Sequence, residues 1–226
     1  MQKTTKTSKQ LDLGIQKDPL SEKDARAFLD PVDVIRDPLH GDVRLTAFER
    51  VLIDSQEFQR LRNINQLAMT VVAYPSAVHN RFIHSIGTLH VCSEMVDTCN
   101  QNAEVYSRLA APTDPIPVKL TSYATLLARL CALLHDMAHV PFGHTLEKEG
   151  RIFEKDEWQD EYRREELLLG PKTPLADLFR RFFGNMDLTP ESADMVREEV
   201  KQVLMSKRAD VLNLRYPFVH DIVGNT

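Results

Sequence analysis

The chain has 226 residues, enough for one large domain or two small ones and enough to bury a helical core. Hydrophobic residues make up 42% and charged residues 27%, the composition of an ordinary soluble globular protein rather than a disordered or membrane-spanning one. A net charge of -5 argues against binding nucleic acid through overall charge, so any phosphate site has to be a local basic patch.

The stretch from Met1 to Lys23 is rich in Lys, Thr, Gln and Ser, so residues 1–27 are expected to be a flexible tail, with the fold beginning near Phe28. Val32 to Leu45 reads as two short β-prone pieces around a Pro-Leu-His-Gly turn, a small hairpin. Thr46 to Leu67 is predicted helical, with Phe58, Leu61, Ile64 and Leu67 at spacing three. Met69 to Pro75 is β-branched and is expected to be extended. Asn80 caps a helix predicted to run to Asn100, with Phe82, Ile86, Leu89, Ser93 and Val96 as its buried stripe. Ala111 to Pro117 reads as a loop. Pro117 suits the first turn of a helix predicted to reach Ala138, with Leu127, Leu130, Leu134 and Met137 as core.

Glu147 to Glu166 is strongly charged and reads as a solvated helix or loop. Thr173-Pro174 to Gly184, and Thr189-Pro190 to Lys207, each carry the signals of one helix. The architecture expected is therefore mainly α, with minor β content. Cys92, Cys99 and Cys131 form no C-x-x-C and are odd in number, so no disulfide framework or zinc knuckle is indicated; Cys92 and Cys99, seven apart, read as core residues. No apolar stretch has signal-peptide or membrane-spanning character, which makes a cytoplasmic protein without a membrane partner the expectation.

Two polar clusters interrupt this apolar pattern. In L-C-A-L-L-H-D-M-A-H-V-P-F-G-H, Leu130 to His144, an apolar helix runs into His135, Asp136 and His139 and turns through Pro141 and Gly143 to His144. His135 and His139 are i, i+4 and share a face. Asp136 inside an apolar helix carries a desolvation cost unless it is paired or metal-bound. Upstream, Arg81 and His84 are i, i+3, and Gly87 follows on the same face. Glycine in a helix interior costs up to ~1 kcal/mol against alanine, which a close helix–helix approach offsets. Two helices sharing a metal need such an approach, and Ala128 and Ala132 are small on the matching face. Imidazole nitrogen with carboxylate oxygen suits Mn, Fe, Ni, Co or Zn, and a carboxylate also permits water bridging to Mg. Against this stands the bland alternative, since a lone His-Asp dipeptide is usually a satisfied core or capping pair.

At these residues the sequence resembles the HD-domain phosphohydrolases, whose ligand pattern is H…HD…D. His84 matches the first histidine, and His135 and Asp136 match the doublet. D-P-L-H-G (Asp37–Gly41), F-Q-R-L-R (Phe58–Arg62), Gln66-Leu67, Y-P-S-A-V-H-N-R-F-I-H-S-I-G (Tyr74–Gly87) and L-L-H-D-M-A-H-V-P-F-G-H (Leu133–His144) extend the resemblance to the dNTP triphosphohydrolase branch. The resemblance covers Val32 to Glu149 well and the rest poorly. It implies a helical HD fold over 28–226 with a small N-terminal hairpin, short of the family's C-terminal side.

By the same resemblance, His84, His135 and Asp136 bind a divalent metal, and Arg81 contacts substrate phosphate. His139 and His144 line the phosphate pocket and assist proton transfer. Gln66 and Leu67 meet a deoxyribose. Asp54, Gln59 and Arg62 match residues that read an activating nucleotide between subunits. The activity implied is hydrolysis of dNTPs to deoxynucleoside and triphosphate, in a homo-oligomer with no nucleic-acid partner. A nucleotidase or phosphodiesterase on another phosphate ester, and an inactive nucleotide-binding regulatory module, are the alternatives. Three departures bear on them. The family's fourth ligand is an aspartate in a D-x-x-D-Y-like motif after I-V-G-N; Asp210 and Asp221 lie outside such a motif, and the sequence ends at Thr226. No histidine occurs between His144 and His220 to serve as a further proton donor. A lysine that supports the family's activator site is not evident, and Asp33 falls nearby.

Overall fold

The structure is a computed structural model that describes residues 17–111, 119–142, 169–207 and 209–223. Among these residues there are eight α-helices, several 3₁₀ turns and one two-stranded antiparallel sheet. The expected mainly helical fold with a small hairpin is what the chain adopts. The helices are α1 (Glu22–Ala27), α2 (Ala47–Ile53), α3 (Gln56–Gln59), α4 (Arg81–Leu109), α5 (Ser122–Leu134), α6 (Pro174–Asn185), α7 (Pro190–Met205) and α8 (Pro217–Val223); the strands are β1 (Pro31–Asp37) and β2 (Gly41–Thr46).

Helix α5 is the centre of the core. Leu126, Leu127, Leu130, Cys131 and Leu133 are fully buried, because α4 packs on one side and α1, α7 and α8 pack on the others. Phe28, Phe48, Phe179 and Phe183 extend this core as an aromatic knot, in which Phe179 and Phe183 stack and the other ring pairs meet edge-on or tilted. Glu49 and Arg129 tie α2 to α5. Arg129 Nε donates to Glu49 Oε1 at 2.7 Å and Nη2 to Oε2 at 2.8 Å, while Glu49 also completes the Thr46 capping box.

Several local expectations are revised. The predicted Thr46–Leu67 helix is broken at Asp54-Ser55, because Ser55 accepts from Phe58 N–H and starts α3 afresh, and a 3₁₀ turn, Arg60–Asn63, follows. Ala68–Val72 is a 3₁₀ turn rather than extended, opened by Ala68 at φ 47°; β-branched residues stay extended only where a neighbouring strand accepts them. Helix α4 runs past Asn100 to Leu109, and α5 starts at Ser122 behind the cap Thr121, with Pro117 outside the described residues. Gly184 lies inside the last turn of α6, and Asp187 at φ 56° makes the reversal instead. Cys99 is exposed, so Cys92 and Cys131 alone are core cysteines.

The stretch expected as tail is packed from residue 17 onward. Leu20 and Ala25 are buried, Glu22 accepts from the Ser122 N–H at the start of α5, and Asp18 accepts from Tyr216 Oη at 2.8 Å. Residues 1–16, the charged stretch Glu147–Glu166 and His144 lie outside the described residues.

Candidate metal centre

The end of α5 carries the first half of the site. The helix stops at Leu134, four residues before the predicted end, and 135–138 continue as tight turns in which Met137 N–H bonds Leu134 C=O and His139 N–H bonds Asp136 C=O. That tightening points His135, Asp136 and His139 into one space. Helix α4 carries the other half from its first turn. Asn80 caps it by accepting from Ile83 N–H, and Arg81 N–H is held by Ile64 C=O at 2.8 Å.

The two halves meet. His84 Nε2 is 3.2 Å from His135 Nε2 and 3.7 Å from Asp136 Oδ2; His135 Nε2 is 3.5 Å from Asp136 Oδ1. One ligand atom from each of these three residues lies within 4.8 Å of the others. Two ligands about 2.1 Å from one cation at ordinary coordination angles stand ~3.0–3.4 Å apart, so the donor atoms fit an ion with small shifts. The tautomer fits too. His135 Nδ1 donates to Ala132 C=O at 2.8 Å, which leaves the Nε2 lone pair facing His84 and Asp136. Burial lowers the pKa of His84, opposed by the Asp136 charge, and reinforced by the charges of His135, Arg81 and His79; the net effect favours the neutral, ligating imidazole.

Asp136 is the electrostatic hub. Its Oδ2 accepts from Arg81 Nη1 at 2.6 Å, with both side chains under a tenth exposed, and its Oδ1 accepts from His139 Nε2 at 3.2 Å. Burial alone pushes this carboxyl up. The His139 hydrogen bond and the neighbouring His135, Arg81 and His139 charges outweigh it and hold Asp136 well below the usual carboxylate range. The carboxylate is therefore ionised, which is the ligating form.

The structure thus brings together five of the predicted site residues: Arg81, His84, His135, Asp136 and His139. Gln66 and Leu67 lie on the segment beside the start of α4, where Gln66 N–H bonds His79 C=O. Gln66 Oε1 is buried without a hydrogen-bond partner among the described residues, and Leu67 is half exposed. Gln59 and Arg62 bond each other, Oε1 to Nε at 2.8 Å, and Arg62 stacks over the Phe82 ring at 3.6 Å; Asp54 pairs with Arg50 on the surface. Asp210 directly precedes a 3₁₀ turn and Asp221 is on α8, neither in the cluster.

Gly87 serves a different neighbour than expected. A Cβ there would come within 3.1 Å of His40 Nε2, so the glycine accommodates the hairpin turn on α4 rather than a second helix. That turn is set by Asp37, whose Oδ1 accepts from the N–H groups of Leu39 and His40, and by Gly41 at φ 76°. A largely apolar cleft of about 720 Å³ opens between the turn, Ser76–His79 and α4, and His84 lines it.

The sequence reading also passed over Arg60. Its guanidinium donates to the carbonyls of Met137 and His139 in the turn beyond α5. The residue lies in the F-Q-R-L-R motif, but nothing in its local pattern signals a partner nearly eighty positions away.

A helical bundle in which a histidine from one helix meets a His-Asp doublet at the end of another defines the class of HD-type metal-centre proteins. The sequence pattern of the HD domain family matches residues 81–214, and the chain belongs to that family. Among curated proteins, it is 43% identical over 114 residues to an uncharacterized protein of Methanocaldococcus jannaschii, covering 50% of this chain and 20% of that protein. It is 31% identical over 134 residues to the human deoxynucleoside triphosphate triphosphohydrolase SAMHD1, covering 58% of this chain and 20% of the human protein. The chain therefore spans about a fifth of the length of these relatives. A solved structure of a hypothetical protein from Aquifex aeolicus superposes with a TM-score of 0.55 at 26% identity, covering 84% of this chain and 41% of that one. No helix among the described residues is long and apolar enough to cross a membrane.

Proposed function

We propose that the chain is the metal-binding part of a divalent-metal-dependent phosphohydrolase that splits dNTPs into deoxynucleoside and triphosphate. The observation that carries the reading is the convergence of His84, His135 and Asp136 with Arg81 and His139 immediately around them. HD-family membership and the similarity to the human triphosphohydrolase support it.

His84, His135 and Asp136 would hold the ion, which supplies Lewis acidity and an activated water for attack on phosphorus. Mn, Fe, Mg, Ni, Co and Zn are all compatible with two imidazoles and a carboxylate. Arg81 takes a phosphate oxygen; a guanidinium already inside the cluster, one turn before His84, supports that role. His139 supplies or takes a proton at Nε2, the atom that now faces Asp136, and His144 is assigned the same pocket. Gln66 and Leu67 meet the deoxyribose; the buried, unpartnered Gln66 Oε1 supports a hydrogen-bonding role there. Asp54, Gln59 and Arg62 receive an activating nucleotide in a homo-oligomer, as the family resemblance implies.

The test is metal analysis of the protein followed by incubation with each dNTP and Mg or Mn. Inorganic triphosphate as product supports the reading. Orthophosphate released from monophosphates alone shifts it to a nucleotidase. Bound metal with no turnover of any nucleotide, in the protein with all its domains, makes the chain a nucleotide-binding regulatory module.

A further inference from the structure

Arg60 opens the 3₁₀ turn Arg60–Asn63, and its side chain reaches across to the turn that follows α5. Nη1 donates to the His139 carbonyl at 2.6 Å, and Nη2 donates to the Met137 carbonyl. Both carbonyls lie just beyond the end of the helix at Leu134, outside its hydrogen-bonded turns. A guanidinium satisfies two such acceptors with one rigid fork, so it fixes their spacing. The peptides it grips carry His139, whose imidazole is hydrogen-bonded to Asp136. The same short segment holds the opposite wall. Arg62 stacks on Phe82, the neighbour of Arg81, and Ile64 C=O accepts the Arg81 N–H. One short segment thus braces both halves of the cluster. His135, in contrast, is anchored within its own helix through Ala132 C=O.

We propose that Arg60 is a positioning residue, which holds Met137–His139 so that the His139 imidazole stays on Asp136, without itself touching metal or substrate. The activity arm of the test rests on the phosphohydrolase reading; the imidazole arm does not. The variants are Arg60→Lys, whose ammonium lacks the rigid planar fork that addresses the two carbonyls separately, and Arg60→Ala as the full deletion. Each is compared with the wild type for thermal stability, Mn²⁺ affinity, kcat and KM on a dNTP, and the His139 ring resonances by NMR. In Arg60→Lys the fold and the Mn²⁺ affinity are retained, the latter within about threefold, because His84 and His135 are held elsewhere. The kcat falls roughly tenfold to a hundredfold at nearly unchanged KM, the scale on which small misplacement acts, and the His139 resonances shift or broaden. Arg60→Ala shows the same pattern, more strongly. Unchanged His139 resonances in a folded Arg60→Lys protein overturn the proposal. So does a kcat loss that merely tracks lost fold or lost metal. If the wild type turns over no nucleotide, the phosphohydrolase reading fails, and the His139 resonances still decide the role of Arg60.

Discussion

Removing the Arg81 guanidinium sharply tests the electrostatics of the centre. Asp136 and Arg81 form a 2.6 Å pair with both side chains nearly inaccessible. Arg81→Leu keeps much of the volume and leaves the Asp136 carboxylate buried without its guanidinium partner. Breaking a buried pair from one side costs ~3–5 kcal/mol. At ~2–4 °C per kcal/mol for a domain of this size, the melting temperature in chelator falls by roughly 10 °C. A divalent ion then supplies the missing positive charge, so the penalty is smaller in saturating Mn²⁺. By linkage, a penalty reduced by ~1.4 kcal/mol means about tenfold tighter metal binding by the variant than by the wild type. The assay is urea unfolding of both proteins in chelator and in Mn²⁺, with direct calorimetric titration of the ion. A penalty below ~1 kcal/mol in chelator, or metal binding weaker than in the wild type, refutes the view that Arg81 and the ion neutralise the same carboxylate.

His139→Ala should retain metal binding and lower kcat by about 10²–10⁴, the range for loss of a proton-transferring group; single-turnover kinetics on metal-loaded protein measures it. Glu49→Ala should destabilise by ~3–5 kcal/mol, because it strands Arg129 in the core and undoes the Thr46 capping box, and denaturant unfolding reads this directly. Gly87→Ala should destabilise while His40 is present, since the new Cβ meets the ring at 3.1 Å, yet stabilise by up to ~1 kcal/mol in a His40→Ala background, where helix propensity acts alone. A double-mutant cycle on those two positions gives the coupling, and additive effects would contradict the contact.

Much of the fold could be read from local chemistry. The hairpin, the Asn80 cap and the Thr-Pro starts of α6 and α7 rest on residues that act within a few positions of themselves. The candidate site was legible on other grounds, the family motifs and a physical demand. His84, Arg81 and the His-Asp doublet are polar groups in apolar helices, and such groups must find each other. What escaped the sequence depends on tertiary partners. The Ser55 break is the exception, a local cap inside apolar spacing that runs straight through it. Gly87 looked like a helix–helix contact because periodicity cannot see a hairpin turn landing there. Arg60 carries no local signal of its role, and only the fold shows which carbonyls it serves. The early end of α5 follows from the same interplay, since the turn beyond Leu134 is stabilised by groups from Arg60 and Arg81 that lie far away in sequence.

A metal centre at this site rests on one divalent ion shared between the start of α4 and the end of α5. Metal stoichiometry by plasma mass spectrometry on the wild type and on His135→Ala, both purified identically and shown to be folded, tests it most directly. Bound divalent metal is expected in the wild type and none in the variant. Equal metal content in the two proteins would contradict it.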